Sequence, residues 1–252
     1  MQFIRLWLRI LLLLPWTVLV SAARLAVWPT ALLSERFDRR MRRSLIRCWA
    51  RGFARVSGVQ VSVTGTPPEP PFFLVCNHLS YIDMLVIGHQ TGCIFVSRGD
   101  VEHWPVLGFV AKSLYIIFID REKKSDTVRV NGLIAETLKM GDALAIFPES
   151  RISRGLDVAP FKSSLIEPAV SNGIPIHYAT VTYRTPADAP PANVVVGWWR
   201  PESFTYHLLR LLRQRGFTAL VHFGGEPMTG GDRKELALRL HRAVRKNFLP
   251  LR

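Results

Sequence analysis

The chain has 252 residues, 48% of them hydrophobic, and 33 Lys and Arg against 19 Asp and Glu give it a formal charge of +14. That length suits one α/β domain with a short appendage, or at most two small domains. The basic excess calls for a polyanion, and the apolar excess favours an anionic bilayer surface over nucleic acid, for which the strands carry no aromatic-and-basic platform. Cys48, Cys76 and Cys93 are odd in number and lack the paired spacing of a zinc site, so inert thiols in a reducing compartment are expected.

The first residues read MQFIRLWLRILLLLPWTVLVSAARLAVW. Ile10 to Ala23 is uncharged, with Arg5 and Arg9 before it and Arg24 after it. A membrane crossing takes about 20 apolar residues. Leu6 to Val27 reaches that length if Arg9 and Arg24 snorkel to the two interfaces. A cleavable signal peptide ending near Ser21-Ala22-Ala23 is the rival, and the arginine-rich stretch that follows favours a cytoplasmic position instead.

That stretch, residues 34 to 56, predicts a helix. Phe37, Met41, Leu45, Trp49, Phe53 and Val56 recur at steps of four or three and form one stripe. Ser34 caps its start, with Glu35 and Asp38 near the positive end of the dipole. Arginines take much of the remaining circumference, which suits either an anionic membrane interface or a helix packed on its own domain. Residues 1–57 thus read as an apolar anchor plus a basic amphipathic helix, and 58–252 as the main domain.

From Gly58 onward short apolar runs alternate with helical patterns. Strands are expected at Gln60–Val63, Phe72–Cys76, Ile94–Val96, Tyr115–Ile119, Ala143–Phe147, Pro175–Tyr183, Asn193–Trp198 and Thr218–Phe223. Helices are expected near Tyr81–His89, Val101–Ala111, Ser125–Met140, Ser163–Ser171, Ser203–Arg215 and Asp232–Phe248. Alternation of this kind predicts an α/β fold with a mixed, largely parallel sheet flanked by helices.

One stretch carries chemistry. After the apolar run Phe72–Cys76 come Asn77, His78, Ser80 and Asp83. On one continuous helix, positions five apart diverge by about 140° and the imidazole and carboxylate do not meet. They meet if His78 lies in a strand-to-helix turn and Asp83 in the first turns of the helix. There the carboxylate accepts the Nδ1–H and leaves Nε2 free as a base for a substrate hydroxyl. Cys76, beside His78, ends an apolar run and fits packing better than a nucleophilic role.

The blocks that follow are RGDVEHWPVLGFVAKSLYIIFIDREKK, AIFPESRISRG, APFKSSLIEPA and GIPIHYATVTY, then FGGEP and DRKELALRLHRAV. In this order they resemble the glycerolipid acyltransferase family, the 1-acylglycerol-3-phosphate acyltransferases and their relatives, from about residue 35 to 248. The resemblance implies that fold, with membrane-associated N-terminal helices. It also implies that His78 is the base and Asp83 its orienting partner, in the family's NHxSxxD block with Asn77 and Ser80 counted at the substrate site. Arg121, in the FIDR block, is implied as a head-group clamp, and Glu149 as the acceptor-binding glutamate. Arg98 stands where the family often has a lysine near the oxyanion.

The usual FPEGTRS here reads Phe147 to Ser153 with Ser150 in place of the glycine. The arginine comes one place early, as Arg151, with Arg154 close behind and either within range of a phosphate. Lys162, which follows Pro160-Phe161 and opens a helix pattern, fits a place near the donor's phosphates and a solvated surface position equally well. The PFKSSL stretch is similar to the lyso-ornithine lipid acyltransferases, whose acceptor is zwitterionic.

The implied reaction moves a fatty acyl group from acyl-CoA or acyl carrier protein to a lysolipid hydroxyl, with no metal or bound cofactor. Its first acceptor is 1-acyl-glycerol-3-phosphate and its alternative lyso-ornithine lipid; a non-catalytic membrane-surface binding protein is the third reading. The expected place is the cytoplasmic face of a membrane, the inner membrane for a bacterial chain.

Overall fold

The computed structural model describes residues 1–103, 107–120 and 124–251. Among the described residues seven strands form one sheet: β1 (Val59–Thr64), β2 (Phe72–Cys76), β3 (Ile94–Arg98), β4 (Ile117–Ile119), β5 (Ala143–Ile146), β6 (Ile176–Arg184) and β7 (Phe217–Phe223), in the order β1-β7-β6-β2-β5-β3-β4. Every neighbouring pair is parallel except β6 with β7. The helices are α1 (Gln2–Val27), α2 (Glu35–Ser57), α3 (Ile82–Thr91), α4 (Leu107–Ser113), α5 (Lys124–Lys139), α6 (Glu167–Ser171), α7 (Ala192–Val195), α8 (Phe204–Arg213) and α9 (Arg233–Lys246). The mixed, largely parallel sheet expected from the sequence is the one that forms.

Period-two alternation sends the side chains of the central strand to both faces. Phe72, Leu74 and Cys76 of β2 join Ala50 and Phe53 of α2, Leu85 and Val86 of α3 and Leu211 of α8 in one core. Phe73 and Val75 join Val130, Ile134 and Leu138 of α5 and Leu236 and Leu240 of α9 in the other. All five β2 residues are buried, as a parallel strand covered on both faces requires. β2 and β5 lie side by side and parallel, so both release their chain at the same edge of the sheet.

Several elements depart from the sequence reading. Asn193–Trp198 is not a strand: Pro191 precedes the short helix α7, and Val195, Val196 and Gly197 are buried without ladder partners. A short apolar run is compatible with either state, and here packing decides. Tyr115 is not in β4 but in a turn with φ 58°. The stretch 163–171 breaks into a 3-10 turn, Ser163–Leu165, and α6.

The N-terminal helices also differ. Arg9 and Arg24 do not reach out to two interfaces; both are buried. The Arg9 guanidinium donates to the carbonyls of Leu212 at 3.0 Å, in the last turn of α8, and of Gln214 at 2.6 Å and Arg215 at 3.0 Å, just past its end. Arg24 pairs with Asp38 and donates to the Ser113 carbonyl at 2.7 Å. The side of α2 that packs deepest is Asp38, Arg42, Ile46, Ala50 and Phe53, a face turned by one residue from the expected stripe, so two charged residues are buried and Phe37 is exposed. Ser34 caps α2 through the Phe37 N–H. Trp16 of α1 donates to the Trp49 carbonyl at 3.2 Å, and Trp49 donates to the Thr17 hydroxyl at 3.1 Å. Gly52 permits this contact, since a Cβ there would run into the Trp16 indole.

Arg42 is ion-paired with Asp142, the residue before β5, and its guanidinium lies 4.6 Å from the centre of the Tyr115 ring. Removing Arg42 leaves Asp142 buried with only the Arg43 guanidinium, 3.8 Å from its other oxygen, as a charged partner among the described residues. Arg42→Ala is therefore expected to cost roughly 3–5 kcal/mol in chemical denaturation. A loss below about 1 kcal/mol, the range of an exposed pair, would contradict this placement.

Candidate active site

β2 ends at Cys76, and the side chain of Asn77 continues its ladder. Its amide accepts from the Val181 N–H at 2.8 Å and donates to the Val181 carbonyl at 2.9 Å, both on β6. This pins the strand end and turns the next residue, His78, out of the sheet. Asp83 lies in the first turn of α3, so the two residues meet across a strand-to-helix turn.

His78 Nδ1 and Asp83 Oδ2 are 2.8 Å apart. The same oxygen accepts the backbone N–H of Leu79 at 2.6 Å and of Ser80 at 2.9 Å. The other oxygen accepts the Tyr183 hydroxyl at 2.6 Å. Asp83 is wholly buried, and these four donors are what a carboxylate needs to sit there. The imidazole stacks on Phe147 with ring centres 4.2 Å apart, and Phe147 stacks in turn on Phe95. With Nδ1 engaged by the carboxylate, Nε2 is free to act on a substrate, and the His78 side chain is 12% exposed.

Glu149, just past β5, clamps the turn from the other side. Its Oε1 accepts the His78 N–H at 2.6 Å and its Oε2 accepts the Ala159 N–H at 2.8 Å. The carboxylate is buried, and both oxygens are engaged with backbone, so in this arrangement it holds the His78 turn rather than facing a ligand. Asn77 and Ser80, grouped with the substrate site by the resemblance, are likewise wholly buried; Asn77 spends its amide on β6. Ser150 adopts φ 55°, the left-handed conformation that glycine takes without strain, which explains a glycine in the usual form of this block.

Arg151 and Lys162 are exposed at the two ends of the segment that follows, and the Lys162 N–H donates to the Pro148 carbonyl at 2.9 Å. Arg98 ends β3, with its side chain outside the described residues, and Arg121 lies outside them altogether. Cys76 is buried, and burial raises its thiol well above the ordinary range, which fits packing.

Sequence reading missed Tyr183. It stands 100 residues from Asp83 in the chain and reaches it because β6 pairs with β2 and runs beyond it. Only the strand order brings the two together.

A family model described as Acyltransferase matches residues 58–182. A lyso-ornithine lipid O-acyltransferase from Pseudomonas aeruginosa is 30% identical over 206 residues, covering 81% of this chain and 78% of that protein. The chain belongs to the acyltransferase family. A lyso-ornithine lipid O-acyltransferase from Rhizobium meliloti is 28% identical over 254 residues, 95% of this chain and 86% of that one. A 1-acyl-sn-glycerol-3-phosphate acyltransferase from Neisseria meningitidis is 29% identical over 135 residues, 53% of each chain. The crystal structure of the 1-acyl-sn-glycerophosphate acyltransferase PlsC from Thermotoga maritima superposes with a TM-score of 0.67 at 16% identity, over 98% of this chain and 96% of that one, a likeness of fold.

In this acyltransferase the Glu149 carboxyl is pushed up to about 7 by burial, against the pull of the His78 and Ala159 N–H groups toward its charged form. Its folded value lies above the ordinary 4.5, so the folded chain holds a proton that the unfolded chain has released. The stability drawn from that proton is lost as pH rises from 4.5 through about 7. Glu149→Gln carries no such proton. Its melting temperature is expected to gain on the parent's between about pH 5 and about pH 8. A difference that stays constant across that range would contradict the assignment.

Proposed function

We propose that the chain transfers a fatty acyl group from a thioester donor, acyl-CoA or acyl carrier protein, to the free hydroxyl of a lysolipid. The observation that carries this reading is His78, joined to a buried Asp83 at 2.8 Å and left with its second nitrogen free at the end of β2. Nε2 takes the hydroxyl proton as the substrate oxygen attacks the thioester carbonyl. The tetrahedral intermediate collapses with expulsion of the thiolate, and the imidazolium returns its proton to that sulfur. Asp83 fixes the tautomer and stabilises the imidazolium. The nucleophile belongs to the substrate, so the reaction asks for neither a protein nucleophile nor a metal or bound cofactor.

The acceptor we favour is lyso-ornithine lipid. The relatives named for it match 81% and 95% of the chain, whereas the Neisseria meningitidis relative, named for 1-acyl-sn-glycerol-3-phosphate, matches 53%. This reverses the order expected from the sequence. The departure at Ser150-Arg151 from the usual phosphate-acceptor block supports the same choice. The 1-acylglycerol-3-phosphate reading stays as the second, on the strength of that relative.

A bilayer is the natural place for such an acceptor. Residues Gln2–Leu32 are long and apolar enough to cross one. Yet α1 packs along α2 and α8, and Phe3, Trp7, Leu8, Leu11, Leu14 and Val18 face outward. We read that face as immersed in lipid while the opposite face holds the domain, with the arginine-rich α2 favouring the cytoplasmic leaflet.

The test is turnover of labelled acyl-CoA and acyl carrier protein with both lysolipids. Lyso-ornithine lipid is expected to be the better acceptor, and His78→Ala is expected to lose roughly 10²–10⁴-fold in kcat. A His78→Ala protein that retains turnover would remove the base. Preference for 1-acylglycerol-3-phosphate would restore the second reading.

A further inference from the structure

Two surface segments are tied to the catalytic turn by backbone hydrogen bonds. The Ser153 N–H donates to the His78 carbonyl at 3.0 Å, and the Trp198 N–H donates to the Leu79 carbonyl at 3.1 Å. One residue beyond each tie stand Arg154 and Trp199, and their side chains meet. The Arg154 guanidinium carbon lies 4.7 Å from the centre of the Trp199 indole, and that of Arg200 lies 5.1 Å from it. The indole is held in place, donating through Nε1 to the Asn193 carbonyl at 3.1 Å. Trp198 is held likewise, by the Glu202 carbonyl.

The two guanidinium groups share one ring while their heads remain exposed. The acids nearest in sequence are committed elsewhere: Asp157 pairs with Arg245, and both oxygens of Glu202 bind Arg210. Among the described residues no carboxylate pairs with Arg154, Arg200 or the nearby exposed Arg151. Like charges gathered on a fixed aromatic plate repel one another until an anion joins them, and guanidinium groups suit the oxygens of phosphate and carboxylate. The indole stacking preorganises both side chains, which lowers the entropy cost of binding.

We propose that Arg154, Trp199 and Arg200 form a subsite for an oxyanion, a phosphate or carboxylate, at the polar end of a substrate whose reacting group lies at His78. The inference rests on the acyl-transfer reading and deepens it. Two sources share this chemistry: the phosphates of the donor's phosphopantetheine arm and the head group of the lysolipid. The segment bearing Trp199 and Arg200 has the same backbone tie to the turn as the segment bearing Arg154, so an anion held between them is positioned relative to the base by two independent struts.

The test is equilibrium binding, which needs no turnover and so is separate from the fate of the catalytic reading. Coenzyme A, 1-acylglycerol-3-phosphate and lyso-ornithine lipid are titrated against the full chain in detergent. The variants are Arg154→Gln/Arg200→Gln and a control with the same charge change on α9, Arg242→Gln/Lys246→Gln. The subsite variant is expected to lose about tenfold or more in affinity for coenzyme A or for the lysolipids, with a weaker salt dependence, while the control binds as the parent does. Loss for coenzyme A alone assigns the subsite to the donor, and loss for the lysolipids alone assigns it to the acceptor. Unchanged affinity in a folded variant, equal loss in the control, or no saturable binding of any of the three by the parent overturns the proposal.

Discussion

The Asp83 carboxylate is the point on which the site depends. It lies wholly buried in the first turn of α3 and collects four donors: the His78 ring, two consecutive backbone N–H groups and the Tyr183 hydroxyl. The same side chain therefore closes the turn at the start of the helix and aims the imidazole. Neither task can be done without the other, because the backbone bonds that shape the turn and the bond that holds the ring share one oxygen. Glu149 supplies the complementary clamp, holding the His78 N–H from the neighbouring strand β5. Two carboxylates thus grip one histidine from opposite ends, and the adjacency of two parallel strands makes it possible.

The second organising feature is a chain of buried charge under the N-terminal helices. Arg24 with Asp38 and Arg42 with Asp142 flank the ring of Tyr115, and Arg9 closes the carbonyls that end α8. Burial of charge is tolerable only with partners in place. These pairs therefore dictate how α1 and α2 sit on the domain, while the apolar contacts of Leu6 and Leu13 with the core add adhesion without direction. The inward, ion-paired face of α1 holds the domain, and its apolar outer face is left exposed.

Much of this was legible in the sequence. The sheet strands Phe72–Cys76 and Ala143–Ile146 declare themselves as continuous apolar runs because they are buried on both faces. The His78 and Asp83 spacing was readable because five residues cannot bring two side chains together on a continuous helix and can do so across a turn. Ser150 was readable as a departure, and its positive φ shows why glycine is the usual residue there. What stayed hidden has one cause, long-range contact. Tyr183 finds Asp83 through strand order, and Asp38 and Arg42 look like solvated residues until Arg24 and Asp142 are seen opposite them. The run Asn193–Trp198 has the composition of a strand and is instead buried as a short helix and a tether, which is how Trp199 comes to lie beside the His78 turn.

The central claim concerns one proton: it resides on Nδ1 of His78, facing Asp83, and Nε2 carries a free lone pair. Nitrogen-15 spectroscopy of histidine-labelled protein in detergent, with His78 assigned by its loss in His78→Gln, reads this directly in the neutral ring. The account predicts a protonated Nδ1 and a bare Nε2, with that preference lost in Asp83→Asn. A neutral ring protonated on Nε2, or a tautomer indifferent to the Asp83 change, would contradict it.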